Sequence, residues 1–287
     1  MKFSVYMACH NAEDYIDRAI STVLTQSYSN FELIIVDDFS SDSTWEKIQI
    51  LANTDSRIRH FRNNSKKCIG YSKNFACAQA LGDVLVMVDG DDFVAPRALQ
   101  TLHDAYIEYP QYGCIHSSHY VCDVEGEIIR APGWTSNYPV DGSIAKGTDT
   151  IGHLISFKKE VYLMTNGYDR DRRHATDKQL ISNLEEVTRF KFLNIPLYYY
   201  RRIRTKESDR KARELFEETI NWAKFRESGL SVIIPHSGTK RLDLLDRTLL
   251  SLPSRQDLEV IISLTDSDED VELSNSLNDK YQLNLKF

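Results

Sequence analysis

The chain has 287 residues, 41% of them hydrophobic, enough for a core domain of about 200 residues and a smaller second unit. Its 35 Lys and Arg against 42 Asp and Glu leave a net charge of −7, which argues against a general nucleic-acid binder. Cys9, Cys68, Cys77, Cys114 and Cys122 show neither C-x-x-C nor zinc spacing and read as reduced thiols, no apolar run reaches the roughly 18 to 20 residues that cross a bilayer, and no signal peptide is expected ahead of Phe3. A cytoplasmic protein is expected, with membrane contact at most peripheral, at the inner face.

In chain order, Phe3 to Ala8 reads as a strand, followed by Cys9-His10-Asn11. Asn11 is placed to cap a helix whose apolar residues Ile16, Ala19, Ile20, Val23 and Leu24 fall at helical spacing. Phe31 to Val36 is a second buried strand, running into Asp37-Asp38-Phe39-Ser40-Ser41-Asp42, where Ser41 or Asp42 can cap the helix through Ile48 and Leu51. Arg57 to Phe61 reads as a short strand and Gly70 to Ala80 as a helix, preceded by Lys66 and Lys67. Val84 to Val88 is the fourth strand, an apolar run suited to burial on both faces, and it ends in Asp89-Gly90-Asp91-Asp92. This alternation predicts a doubly wound, mostly parallel α/β sheet with helices on both faces, and a ligand crevice where Cys9, Asp37 and Asp89 emerge.

The crossovers carry no G-x-G-x-x-G and no G-x-x-x-x-G-K-[ST], so no glycine cradle holds a phosphate. The D-x-D at Asp89 and Asp91 offers hard oxygen ligands to Mg²⁺ or Mn²⁺ carrying a diphosphate. Alone it reads first as a polar turn ahead of the helix from Pro96, so the rest of the chain has to decide, and Asp37 and Asp38 have helix capping as their plainer, secondary reading. A basic stretch, Phe157 to Arg213, holds 15 Lys and Arg and 8 Asp and Glu, a local +7 against −14 elsewhere, which suggests an anionic ligand.

Four blocks together carry a resemblance: Ser4-Val5 through His10-Asn11, Ile34 through Asp42, Gly70-Tyr71-Ser72-Lys73-Asn74, and Val88-Asp89-Gly90-Asp91-Asp92. In order and spacing they resemble the nucleotide-binding motifs of family 2 inverting glycosyltransferases with the GT-A fold. The resemblance implies a UDP-sugar donor site formed by Ala8, His10, Asn11, Asp37, Asp38, Lys66, Tyr71, Asn74, Asp89 and Gly90, with Asp37 and Asp38 near the uracil and ribose. It makes Asp91 the principal metal ligand, with Asp89 beside it near the ribose. Ala8-Cys9-His10-Asn11 departs from the more usual Pro-Thr-Tyr-Asn, in a block that contributes mainly backbone.

Downstream, His153 to Lys159, Asn166-Gly167-Tyr168-Asp169, Ala175 to Leu180 and Pro196 to Arg201 resemble the acceptor half of such enzymes, closest to the bacterial tandem-domain polymerases of hyaluronan- and chondroitin-like chains. Inverting transfer needs one carboxylate to take the acceptor hydroxyl proton. Asp177 stands where the family places that base, ahead of Leu180, Ile181 and Leu184; a first-turn partner of the helix dipole is the plainer reading. His153 can add an imidazole to the ion, which favours Mn²⁺, or can be a core histidine. Arg201, Arg204 and Lys206 can neutralise the departing diphosphate.

The tail repeats the opening. Leu230 to Ser237, a helix with Leu242, Leu245, Leu249 and Leu250, and Leu258 to Ser263 form a second β-α-β unit, with Thr265 to Asp268 standing where Asp37 to Ser40 stood and no second D-x-D following. The expected organisation is a GT-A domain over 1–207, a helical connector over 208–228 and an incomplete second GT-A-like repeat over 229–287, which docks on the first domain or on another chain. The expected function is metal-dependent, inverting transfer of a sugar from a UDP-sugar to a hydroxyl of a saccharide or glycoconjugate. A catalytically silent saccharide-binding module and a sugar-phosphate nucleotidyltransferase are the rivals; the second would carry a Gly-rich, basic loop after the first strand, which Cys9 to Glu13 is not.

Overall fold

A computed structural model describes residues 1–130 and 151–202, together with the backbone of strands at 232–235 and 260–263. The chain divides into two compact units, Met1–Ile220 and Asn221–Phe287. In the first, β1 (Phe3–Cys9), β2 (Phe31–Asp37), β3 (Ile58–Arg62) and β4 (Val84–Met87) lie parallel in the order β3-β2-β1-β4. Every residue of β1, β2 and β4 is buried, as strands covered on both faces require. Alternate side chains divide between those faces. Val5, Met7, Leu33, Ile35 and Val86 share a core with Ile16 and Ile20 of α1 (Ile16–Leu24), Ile48 of α2 (Thr44–Ala52) and Leu99 and Leu102 of α4 (Ala98–Glu108). Tyr6 and Met87 face the opposite side, where Tyr168 and Lys73 of α3 (Ile69–Gln79) meet them.

Beyond β4 the sheet changes direction. β8 (Ile155–Lys158) runs antiparallel to β4, and the order continues through β6 (Cys114–Cys122), β9 (Phe190–Arg201) and β5 (Phe93–Val94), with β7 (Ile128–Arg130) paired to β6. The sheet is therefore parallel across β1 to β4 and mixed beyond. The reversal has a consequence for chemistry: Met87 pairs with Ile155, so the residues entering β8 lie beside those leaving β4. The short α5 (Lys159–Leu163) follows β8, and α6 (Thr176–Glu185) precedes β9.

Two helix starts differ in their chemistry. Asn11 does not cap α1; it adopts φ +50 and its Oδ1 accepts from the Ser41 amide at 2.9 Å, while α1 begins at Ile16 without a side-chain cap. Asp42 does serve the first turn of α2, accepting from the Thr44 amide at 3.1 Å. In the second unit β10 (Val232–Pro235) and β11 (Val260–Ser263) pair in parallel, Val232 opposite Val260 as Phe3 is opposite Phe31, an offset of 28 residues in both pairs. The connector at 208–228 and Thr265 to Asp268 lie outside the described residues, within which no helix is long and apolar enough to cross a membrane.

Candidate active site

Parallel pairing brings the carboxyl ends of β1, β2 and β4 to one edge, and α6 delivers its first turn there. All three non-glycine residues with positive φ among the described residues belong to segments meeting at this edge: Asn11, Phe39 (φ +60) beside Asp38, and Ala175 (φ +49) immediately before α6. Backbone in so sparsely populated a region is held by its surroundings and concentrates at functional sites.

At the end of β2 the two acids already have partners. Asp37 is fully buried; its carboxylate accepts from the Ser40 amide and hydroxyl and pairs with Arg62 Nε at 3.1 Å. Asp38 accepts from Asn63 Nδ2 at 2.6 Å and from the Lys67 amide at 2.9 Å. Its carbonyl lies 3.0 Å from His10 Nδ1, and Lys66 Nζ lies 2.8 Å from His10 Nε2. An ammonium can only donate, so Nε2 accepts from Lys66 and Nδ1 donates to Asp38. Lys67 lies over the half-buried Tyr71 ring, and Ala8 is buried within the β1–β2 ladder.

At the end of β4 the acids diverge. Asp92 is buried, accepting from the Tyr198 hydroxyl at 2.8 Å and the Arg201 amide at 2.6 Å; burial, then the charges of Asp91 and Asp89, push its carboxyl well above the usual range. The Tyr198 oxygen also accepts from the Asp89 amide at 3.1 Å, so β9 fixes the turn at two points. Gly90 is required by a close approach: a Cβ there would stand 2.8 Å from Cys9 Cβ. Asp89 pairs with Lys73 Nζ at 2.8 Å. Burial, the largest influence, opposes its charge, yet the surrounding groups, the Lys73 ammonium foremost, hold the carboxyl below the usual range.

Lys73 is the residue that motif reading left without a role. Its side chain is only 5% exposed, and burial opposes its charge, yet Asp89, Asp177 and Asp91 together keep it an ammonium. One buried cation thus sits in the field of two carboxylates from the β4 turn and one from α6. A signal was present in the sequence: Lys73 lies three and four residues before Ala76 and Cys77, on the buried face of α3, where a charge requires a partner. Asp177 occupies the first turn of α6 and is half-buried.

His153 lies two residues before β8, next to this cluster. Its ring stacks on Tyr198 (4.8 Å, 18°) and Tyr200 (5.7 Å, 7°), and its buried Nδ1 has no hydrogen-bond partner. Burial lowers its pKa, against the opposing pull of Asp89 and Asp177, so the imidazole is held neutral, the form that ligates metal. Among the described residues no group of three or more His, Cys, Asp or Glu converges to hold an ion. Arg201 is 3% exposed; its guanidinium donates to the Asp91 carbonyl and packs over Tyr15 and Phe93, which makes it a brace of the acidic turn. Arg204 and Lys206 lie outside the described residues.

Asn74, expected at the nucleotide, bonds within the protein. Its amide bonds the Tyr168 carbonyl and Arg170, on the loop that leads to α6.

Comparison with known proteins gives this edge a context. The chain is 32% identical over 173 residues to the putative glycosyltransferase EpsE of Bacillus subtilis, covering 60% of this chain and 62% of EpsE. It is 28% identical over 193 residues to the chondroitin synthase of Escherichia coli, covering 67% of this chain and 27% of that protein. Among solved structures, S. aureus TarS residues 1–349 in complex with UDP-GlcNAc superposes with a TM-score of 0.66 at 18% identity, covering 80% of this chain and 68% of that one; the shared architecture is the GT-A fold. The mannosyltransferase PcManGT from Pyrobaculum calidifontis, in complex with GDP-Man and Mn²⁺, superposes with a TM-score of 0.56 at 17% identity, covering 79% and 64%. The sequence model of glycosyl transferase family 2 matches residues 4–165, more than half of the chain, and the chain belongs to that family.

Proposed function

We propose that the chain is a metal-dependent, inverting glycosyltransferase that moves a sugar from a UDP-sugar to a hydroxyl of a saccharide or glycoconjugate acceptor. The observation that carries this reading is the buried Lys73 ammonium in the joint field of Asp89, Asp91 and Asp177, which draws the donor carboxylates and the candidate base into one site.

The residues fit a divalent ion of the kind that is completed by substrate. Asp91 and Asp89 would hold it, with the neutral His153 imidazole close by, and the diphosphate that the ion accompanies would complete the site. Such an ion, when bound, offsets the negative charge of the diphosphate. The chain's own residues do the rest. Asp177 takes the proton of the acceptor hydroxyl as its oxygen attacks the anomeric carbon from the face opposite the departing UDP, so one displacement inverts the centre without a covalent intermediate. His10, held between Asp38 and Lys66, closes the nucleoside end with Ala8, Asn11 and Tyr71. Asp38 orients that end, and Arg204 and Lys206 meet the leaving diphosphate. The matched relatives that make saccharide chains support a saccharide acceptor, and the repeated 28-residue register supports 229–287 as the opening of a second GT-A-like unit.

The test is UDP release from a panel of UDP-sugars with Mn²⁺, with and without EDTA. Release with at least one donor that EDTA abolishes is expected. UDP binding without turnover of any donor would mark a silent binding module instead.

A further inference from the structure

On an α-helix, consecutive side chains point about 100° apart, so three in a row address three different walls. At the start of α3 this places Ser72, Lys73 and Asn74 against three parts of the site. The Ser72 hydroxyl accepts from Asn63 Nδ2 at 3.0 Å, and Asn63 also donates to Asp38. Lys73 holds Asp89. Asn74 reaches the loop that carries the candidate base: its Nδ2 donates to the Tyr168 carbonyl at 3.1 Å, and its Oδ1 accepts from Arg170 Nε at 3.1 Å. One helix turn earlier, the Gly70 amide donates to the Arg172 carbonyl at 3.0 Å, and the fit is so close that a Cβ at Gly70 would stand 2.1 Å from the Asp169 carbonyl oxygen.

The loop is anchored from its other side by the helix it precedes. Gln179 of α6 accepts from the Asp169 amide at 3.0 Å and donates to the Gly167 carbonyl at 3.2 Å, and Asn183 donates to the same carbonyl at 3.0 Å. Residues 167–174 are thus a strap between α3 and α6, ending in the left-handed Ala175 two residues before Asp177. Asn74 bonds that strap at two residues, Tyr168 and Arg170, so the side chain adjacent to the Asp89 partner also bears on where α6 begins.

We propose that Asn74 is a positioning residue for Asp177: it fixes the base-bearing end of α6 relative to the donor carboxylates, and it does not contact the nucleotide. The inference rests on the reading of Asp177 as the base. A misplacement of a reacting group by about 1 Å costs on the order of 100-fold, so loosening a single strap contact is expected to cost about tenfold in kcat.

The test is a double-mutant cycle on the full chain, read as UDP release with the best donor of the panel, alongside calorimetric UDP affinity in Mn²⁺. Asn74→Ala is expected to lower kcat about tenfold, leave UDP affinity within twofold, and have no further effect in an Asp177→Asn background. Asn74→Asp, which keeps the acceptor for Arg170 but loses the donor to Tyr168, is expected to fall between wild type and Asn74→Ala, and it carries the test if the alanine variant does not fold. Three outcomes overturn the proposal. UDP affinity falling as much as kcat makes Asn74 a nucleotide contact. An equal loss in both backgrounds means that Asn74 acts on something other than Asp177. Full activity of Asp177→Asn alone removes the base assignment and, with it, the reason for the strap.

Discussion

The ends of β2 and β4 look alike in sequence, each an apolar strand running into clustered aspartates, and the structure uses them differently. Asp37 and Asp38 are met by Ser40, Arg62, Asn63 and the Lys67 amide, all neutral donors or exposed cations within the same lobe. At β4 Asp92 is enclosed in that way, by Tyr198 and Arg201, while Asp89 is held by a buried ammonium that also feels Asp91 and Asp177. A carboxylate fully bonded to its own protein shapes a turn. One balanced against a cation shared with other carboxylates is available to a ligand that brings its own charge.

The sharpest way to break this contrast is at its far side. Asp177→Asn keeps size and hydrogen bonding but removes the proton acceptor, and general-base catalysis supplies roughly 10²- to 10⁴-fold. A fall of kcat by about that factor with UDP affinity unchanged is expected, measured by initial rates of UDP release. Next in size is the metal. EDTA and Asp91→Ala are each expected to weaken UDP binding about 100-fold, and the two together no more than either alone, because both remove one interaction. A full additive loss in calorimetry would separate Asp91 from the ion.

Lys73 comes third. Lys73→Met keeps length and apolar volume in α3 but leaves Asp89 without its counter-charge, and a charge-assisted pair of this kind is worth about tenfold in affinity. UDP affinity in Mn²⁺ is expected to change by about that factor, whereas the same substitution at the exposed Lys66 would change it less. Equal effects at the two lysines would erase the distinction between a buried organising cation and a rim charge.

The four strands of the parallel half and their acidic ends were legible because continuous apolar runs and turn residues carry their own signal, and the end of a parallel strand is where ligands gather. The blocks resembling family 2 enzymes lie mainly in that half. The mixed half was harder to read. The reversal at β8 leaves no mark in Ile155-Ser156-Phe157, which reads alike in either direction, yet it is this reversal that sets His153 beside Asp89. The partners of buried charges were also hidden: nothing in the spacing of Asp92 and Arg201, or of Asp37 and Arg62, announces that they meet. Asn74 and Arg201 sat in motifs of the expected kind, but which wall a side chain faces is decided by packing, and both turn toward neighbouring protein.

The smallest expected effect tests the β2 side of the contrast directly. Asp37 was expected near the nucleoside, but its carboxylate is fully buried and bonded to Ser40 and Arg62. Asp37→Asn keeps an acceptor for the Ser40 amide and loses the charge facing Arg62, so the expected cost is about 1 to 2 kcal/mol of stability, a shift of a few degrees in the melting temperature. Because that carboxylate has no free face to offer a ligand, UDP affinity should stay within threefold of wild type once the protein is folded. Asp38→Asn should show the reverse balance, with little change in melting temperature because its Oδ1 still accepts from Asn63 and the Lys67 amide, and a several-fold loss of UDP affinity because the charge at the nucleoside end is gone. If Asp37→Asn instead weakens UDP as much as Asp38→Asn does, the two acids act as one nucleotide contact, and the bracing role assigned to β2 fails at its most buried member.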